Sequence, residues 1–254
     1  MTHTVKRGET LGKIARSHGI TLSRLLDLNP QFKAHPDIIH VGDVLIIPGE
    51  DAAPTTPAPT TALSPFAAKL ASIARAQHDR FHLTNEADPQ LCGEIKRWTE
   101  EIGGAFVSCT SNNHPWSAVF VSWCVKEAGA TASEFKFSKQ HSVFVNKAIQ
   151  NAINGVGVFQ GMKISVHAPN VGDIIQRNRG GATFDFDHAR RSSNYPSHSV
   201  IVVEVGRDEE GRFAFCIGGN ENDSVRSSVV RLTPQGFVLQ RGRNPFICVI
   251  KNMK

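Results

Sequence analysis

Apolar positions recur at helical spacing in two short stretches near the start of the chain. Leu11, Ile14 and Ala15 form one stripe, and Leu22, Leu25 and Leu26 form the next. Gly8, Glu9 and Thr10 stand before the first stripe and Gly19 after it. Thr21 precedes the second, which stops at Asn29 and Pro30. These are residue types that open and close helices. Residues 4–5 and the apolar run 44–48 read as strands on either side, so the pattern predicts a small βααβ unit over residues 1–50. A unit of that size lies near the lower limit for an independent fold, and nearly all of its apolar side chains must be buried.

The pattern then breaks. Residues 51–65 carry four prolines, four threonines and almost no charge, a composition that cannot build a core. An extended, semi-rigid spacer is expected there, with a reach on the order of 45 Å at about 3.1 Å per residue. A larger domain follows over 66–254. Its first half is helical: Phe66, Leu70, Ile73 and Ala74 mark one helix over 65–82, and Ile95, Trp98 and Ile102 mark another. Residues 115–129 (PWSAVFVSWCVKEAG) are apolar almost all round, the mark of a buried helix, with Pro115 suited to its first position and Gly129 to its end. Ser117 falls in the first turn, where unpaired N–H groups favour developing negative charge.

The second half alternates as strands at 171–176, 197–205, 212–218, 229–232 and 246–250. The expected fold class is therefore α+β: the βααβ unit, a Pro/Thr linker, and a domain of N-terminal helices packed on an antiparallel sheet. A hairpin symmetric about Glu209 sets Val205 opposite Phe213 and His198 opposite Asn220, where the amide could orient the imidazole. A slip of one residue would undo that pairing. Glu204 shares the face of His198 but lies roughly 20 Å away along the strand.

Several other residues have both a chemical and a structural reading. The polar stretch 177–195 is long for a connector and leads into His198, so it is expected to wall a cleft. Asp185, Asp187 and His188 within it match no metal-site spacing and read as a solvated or salt-bridged loop. His141 is read as a capping residue or as flanking the cleft, and Asp173 as bracing a turn. Gly218 and Gly219 should allow a tight bend that delivers Asn220.

Composition adds limits. The net charge is +5 with 40% hydrophobic and 20% charged residues, ordinary for a globular chain and mildly suited to an anionic surface. No clustered basic stripe argues for nucleic acid, and no apolar run is long enough to span a membrane. The first residues lack the apolar core of a secretory signal, so action outside the cytoplasm would need non-classical export or lysis. All five cysteines lie after residue 90, none with zinc spacing, and buried, reduced thiols are the expected state, with one bridge left open. No cofactor or metal is implied.

The motifs carry two resemblances. HTVKRGETLGKIARSHGITLSRLLDLNP followed by VGDVLIIP resembles the LysM module from end to end. The resemblance implies binding to an N-acetylglucosamine-containing glycan, peptidoglycan above all, in a groove between the loops at Gly8, Glu9, Thr10 and Leu11 and at Asn29, Pro30 and Gln31. PWSAVFVSWCVKEAGA, VGDII, SHSVIVVEV and IGGNENDSV resemble the papain-like CHAP-type and NlpC-type peptidoglycan amidases and endopeptidases, in a branch with Trp-Ser where Trp-Cys is usual. Carried over, Ser117 stands at the nucleophile, His198 at the general base and Asn220 at the orienter.

A serine needs its proton removed as it attacks, so the departure from cysteine leaves two alternatives open. One is a catalytically inactive wall-binding protein. The other is a different nucleophile, Cys124 or Cys109, although Cys124 reads as a small buried core residue. The function so implied is a wall hydrolase that cleaves an amide of the stem peptide or its link to the sugar, of the antibacterial effector or lysin kind. A secretion-system component and a cognate immunity protein are the further partners such a role implies.

Overall fold

The computed structural model of the chain describes residues 1–33, 36–48, 63–110, 115–208 and 210–254. The expected spacer, apart from its last residues, and Glu209 lie outside them. The N-terminal unit runs β1 (Thr2–Thr4), α1 (Leu11–Ser17), α2 (Leu22–Leu28), a 3₁₀ turn (Pro30–Phe32) and β2 (Val44–Ile46), with β1 and β2 antiparallel. Thr10 and Thr21 cap the helices as expected, their hydroxyls accepting the N–H of Lys13 and of Arg24. Asn29 ends α2 and is buried. Its amide donates to Leu25 O and Ile46 O and accepts the N–H of Ile46, tying helix to strand.

The larger part contains α3 (Pro65–Phe81), α4 (Pro89–Glu101), α5 (Ser117–Ala128), α6 (His141–Asn154), β3 (Phe159–Met162), β4 (Ile174–Asn178), α7 (Phe186–Arg191), β5 (Ser197–Asp208), β6 (Gly211–Glu221), β7 (Ser224–Leu232) and β8 (Phe246–Asn252). The strands form one antiparallel sheet in the order β3-β8-β4-β5-β6-β7. The α+β expectation, with N-terminal helices on an antiparallel sheet, holds. Helices α3, α5 and α6 pack on one face, over Ile174, Ile201, Phe215 and Ile217. The other face carries a second core of Ile175, Val200, Val202, Val230 and Phe246, closed by Val238.

Helix α5 lies at the centre of the helical layer. Its apolar residues are buried on every side, and Gly129 closes it in the left-handed region at φ 108°. The helix begins at Ser117 rather than Pro115, with Trp116 at the N-cap. Trp116 is held in place by packing on Trp98 and by donating its indole N–H to Glu86 Oε2 at 2.6 Å.

The N-terminal unit packs directly against α3 and β7. Asp37, buried, accepts from His78 Nε2 at 2.7 Å and from both the N–H and the hydroxyl of Ser227. Asp79 accepts from Thr10 Oγ1 at 2.8 Å and from Arg16 at 2.6 Å. Apolar side chains from both parts belong to one continuous core.

Cys92, in α4, and Cys109 form a disulfide across 17 residues, the one bridge that the sequence leaves open beside the expected reduced thiols. Cys124, Cys216 and Cys248 are free and buried.

Candidate functional site

Ser117 and His141 are the first residues of α5 and α6, and the fold brings those two helix ends together. Ser122 of α5 ties them. Its hydroxyl donates to Ser138 O and accepts the N–H of Ser138, fastening the segment that leads into α6. Ser117 Oγ and His141 Nε2 are then hydrogen-bonded at 2.7 Å. The ring of His198, at the start of β5, lies beside that of His141, with centroids 5.3 Å apart. His198 Nε2 in turn donates to Glu221 Oε1 at 2.8 Å, and Arg177 reaches the same oxygen at 3.3 Å. The order in space is Ser117, His141, His198, Glu221, Arg177.

Two glycines make this closure possible. A Cβ on Gly219 would lie 2.5 Å from Phe120 Cβ and 2.7 Å from Trp116, so β6 can approach α5 only without a side chain there. A Cβ on Gly218 would lie 3.1 Å from both His198 Nε2 and Glu221 Oε1. Beneath the pair, buried Gln176 donates to Ser197 Oγ and accepts from Tyr195 OH, fixing the start of β5.

The register explains why the partner of His198 is Glu221 and not Asn220. Near its turn the β5–β6 hairpin pairs Val205 with Ala214, one residue off the symmetric expectation. A bulge between Val202 and Glu204 absorbs the offset, so that Ile201 faces Ile217. The β6–β7 ladder then shifts again between Gly218 and Glu221, where Asn220 takes φ 56°. That left-handed residue turns the chain, and the next side chain along, Glu221, is the one aimed at the imidazole.

Burial sets the charge states. Ser117, His141 and His198 are 2%, 6% and 5% exposed. Burial, and then the neighbouring His198 and the guanidinium groups of Arg179 and Arg177, push His141 well below the ordinary histidine value. His198 is also lowered, by burial and against the pull of Glu221. Glu221 feels burial in the opposite sense, yet His198 and Arg177 hold it below the usual carboxylate range. Near neutrality two uncharged imidazoles therefore stand beside one ionised carboxylate. Nδ1 of His141 is buried and has no hydrogen-bond partner among the described residues.

A cavity of about 440 Å³ lies against the residues that precede Ser117 and His141, lined by Pro115 and Trp116 on one side, Lys139 and Gln140 on another, and the segment 105–108 on a third, but by neither member of the pair. The disulfide at Cys109 anchors that last wall to α4. Cys109 is thus bonded rather than free. Cys124 sits deep in α5, where burial pushes its thiol well up. Neither cysteine is poised as a thiolate.

Other expected residues have their places. Asp185 caps α7 by accepting the N–H of His188, and the His188 ring stacks on Phe184. The stretch 177–195 thus holds a short helix whose C-terminal carbonyls bind Asn146 and Gln150 of α6. Asp173 braces its turn by accepting from Asn170 N and His167, and it reaches β8 through Asn252 N. In the N-terminal unit, Gly8, Pro30 and Gln31 are exposed. Glu9 holds His3 and the N–H of Lys6. Leu11 belongs to the core and Asn29 to the helix–strand tie, while the Thr10 hydroxyl points to Asp79 of α3. Among the described residues no group of three or more metal-ligating side chains could hold an ion, and no helix is long and apolar enough to cross a membrane.

A family model described as an uncharacterized protein conserved in bacteria (DUF2272) matches residues 90–249, more than half of the chain. The chain belongs to the DUF2272 family. All five members of the Ser117–Arg177 series lie inside the DUF2272 match. A LysM domain matches residues 3–48 and suggests binding to peptidoglycan or a related N-acetylglucosamine glycan. No curated protein matches the chain. Sequence pattern points to Ser117 and His198, and to His141 only as a cap or a flank of the cleft. It gives Glu221 no role, and Arg177 one only as the first residue of the stretch expected to wall the cleft. His141 does head an amphipathic stripe of Phe144, Val145, Ala148 and Ile149 that marks a buried helix.

Proposed function

We propose that the DUF2272 domain is a serine hydrolase acting on an amide of peptidoglycan, held at its substrate by the LysM unit. The observation that carries the reading is the 2.7 Å contact of Ser117 Oγ with the uncharged imidazole of His141. A hydroxyl becomes a useful nucleophile only when a base accepts its proton during attack, and a buried neutral histidine is such a base.

In the proposed reaction Ser117 Oγ bonds to the carbonyl carbon and its proton passes to His141 Nε2. The carbonyl oxygen becomes an oxyanion facing the N–H groups of the first turn of α5, which lack intrahelical acceptors. Collapse of this intermediate breaks the C–N bond, and the leaving amine takes the proton from His141. Water then hydrolyses the ester on Ser117 by the same proton path. The imidazolium formed in between is costly at this buried helix end, beside His198 and the guanidinium groups of Arg177 and Arg179, so it must hand the proton on at once. His141 thus replaces His198 as the base, and Glu221 replaces Asn220 as the residue that orients His198. The papain-like relationship rests on the order of helix-borne Ser117 before strand-borne His198 and on the antiparallel sheet.

The second reading is a wall-binding protein without catalysis, favoured by the near-complete burial of Ser117. Purified protein added to isolated sacculi separates the two. Release of soluble muropeptides, lost in Ser117→Ala while the variant still sediments with sacculi, supports the hydrolase. Sedimentation with no release by the unaltered protein leaves the binding role. We place the protein at the bacterial wall on the strength of the LysM unit, in the manner of an exported antibacterial effector or a lysin.

A further inference from the structure

Arginines collect on the far side of Glu221. Arg177, Arg241 and Arg243 line a hollow of about 390 Å³ together with Glu221, Asn244 and Phe246. One carboxylate faces three guanidinium groups, and that carboxylate already binds His198 as well as Arg177. Of the two exposed arginines, Arg241 is held in place. Arg241 lies over the Phe246 ring, 4.6 Å from its centroid, and its Nε donates to Asn244 O at 3.2 Å. A guanidinium fixed by stacking keeps its outer N–H groups directed at a planar anion with little ordering left to do.

A second hollow, of about 690 Å³, flanks the same edge strand, β7, with Glu221, Ser228 and Val229 lining both. The second hollow extends to Pro30 and Pro36 of the N-terminal unit and contains Arg226, whose Nε is buried without an acceptor among the described residues.

We propose that the Arg177–Arg241–Arg243 hollow is an anion subsite that takes a carboxylate of an acidic peptide. This assignment names the substrate class of the proposed hydrolase and rests on that reading for its biological sense, but its binding chemistry stands apart from the Ser117–His141 pair. A phosphate on a wall polymer shares the chemistry. The contacts that run from Arg177 through Glu221 and His198 to His141 set the hollow beside the Ser117–His141 pair, and that favours the peptide.

The test uses the full chain carrying Ser117→Ala, so that nothing is turned over. Its probes are a short synthetic peptide of alanine and glutamate with free carboxyl groups, the same peptide fully amidated, and inorganic phosphate, titrated by calorimetry. The expected result is binding of the free acid at least tenfold tighter than the amide, with phosphate weaker than the acid. Arg241→Gln with Arg243→Gln should remove that preference, while Arg241→Lys with Arg243→Lys keeps part of it. Thermal melts of each variant verify that the fold is intact. Equal binding of acid and amide, or a preference unchanged by the glutamine pair, overturns the proposal. Phosphate binding as tightly as the acid on the same arginines overturns the peptide assignment in favour of a phosphate polymer. A wrong nucleophile would show separately, as muropeptide release that persists in Ser117→Ala.

Discussion

Ser117 Oγ and His141 Nε2 meet at 2.7 Å although they belong to different helices and lie 24 residues apart. Each opens its helix, so the pair sits where two sets of unpaired N–H groups converge. That setting favours an oxygen gaining negative charge and opposes a proton resting on the imidazole. It suits a base that accepts a proton briefly and returns it.

Removal of either partner should have nearly the same effect. Ser117→Ala and His141→Ala are each expected to lower muropeptide release by about 10³-fold or more, and the double variant should be little worse than either alone, because the two act as a unit. Sacculus binding should be unchanged. Initial rates on isolated sacculi check this, and strongly additive losses would separate the two residues.

The pH profile should be displaced toward acid. His141 is held well below the ordinary histidine value, so it stays a competent acceptor as pH falls through about 6.5, where a free imidazole would already be charging. The acid limb of kcat is therefore expected below that point. Stability shifts with it: the unfolded chain takes up protons from about pH 6.5 downward while folded His141 and His198 resist, so unfolding becomes easier as pH falls from there. Denaturant midpoints between pH 8 and pH 5 measure the second effect independently of activity.

Docking of the N-terminal unit should respond to pH at both ends. Burial opposes the charge on His78, yet Asp37 and Asp79 raise it overall. That contribution is full below the undocked value of about 6.5 and fades as pH rises through the docked one. Burial likewise opposes the charge on Asp37 and Asp79, but His78 lowers both, Asp79 to about 2. Their share is present above about 3.9 and is lost in acid. The contact is thus expected to be tightest between these limits. Small-angle scattering across the range should show the chain expand on the alkaline side, and His78→Ala should abolish the transition.

The disulfide should matter both to stability and to the cavity wall. Closing a 17-residue separation stabilises by about 3 kcal/mol on chain-entropy grounds. Cys92→Ala with Cys109→Ala is expected to lower the melting temperature by several degrees and to speed amide exchange in residues 105–110. Exchange confined to other segments would contradict the role assigned to the bridge.

Some of the candidate site was legible before any tertiary contact was known. Trp-Ser at the head of an all-apolar stretch placed Ser117 on a buried helix, and the β-branched run after His198 placed that residue on a strand. The partners were not legible. His141 carries no motif, and its pairing depends on the Ser122–Ser138 tie between α5 and α6. Glu221 displaced Asn220 because the shift in the β6–β7 ladder and one left-handed residue decide which side chain turns inward, and a pattern with a period of two cannot register such a shift.

The residues alone determined what depends on local periodicity and capping: the two capped helices of the LysM unit, the buried α5 and the succession of β-strands. Each is dictated by neighbours within a few positions, where side-chain chemistry and backbone geometry act directly. Tertiary structure decided what depends on long-range approach: the docking through Asp37 and His78, the Cys92–Cys109 bridge, and the sequence of contacts from Ser117 to Arg177. Those meetings join residues 17 to 190 positions apart. They are selected by how the helices and the sheet close over one shared core, and no local pattern specifies that.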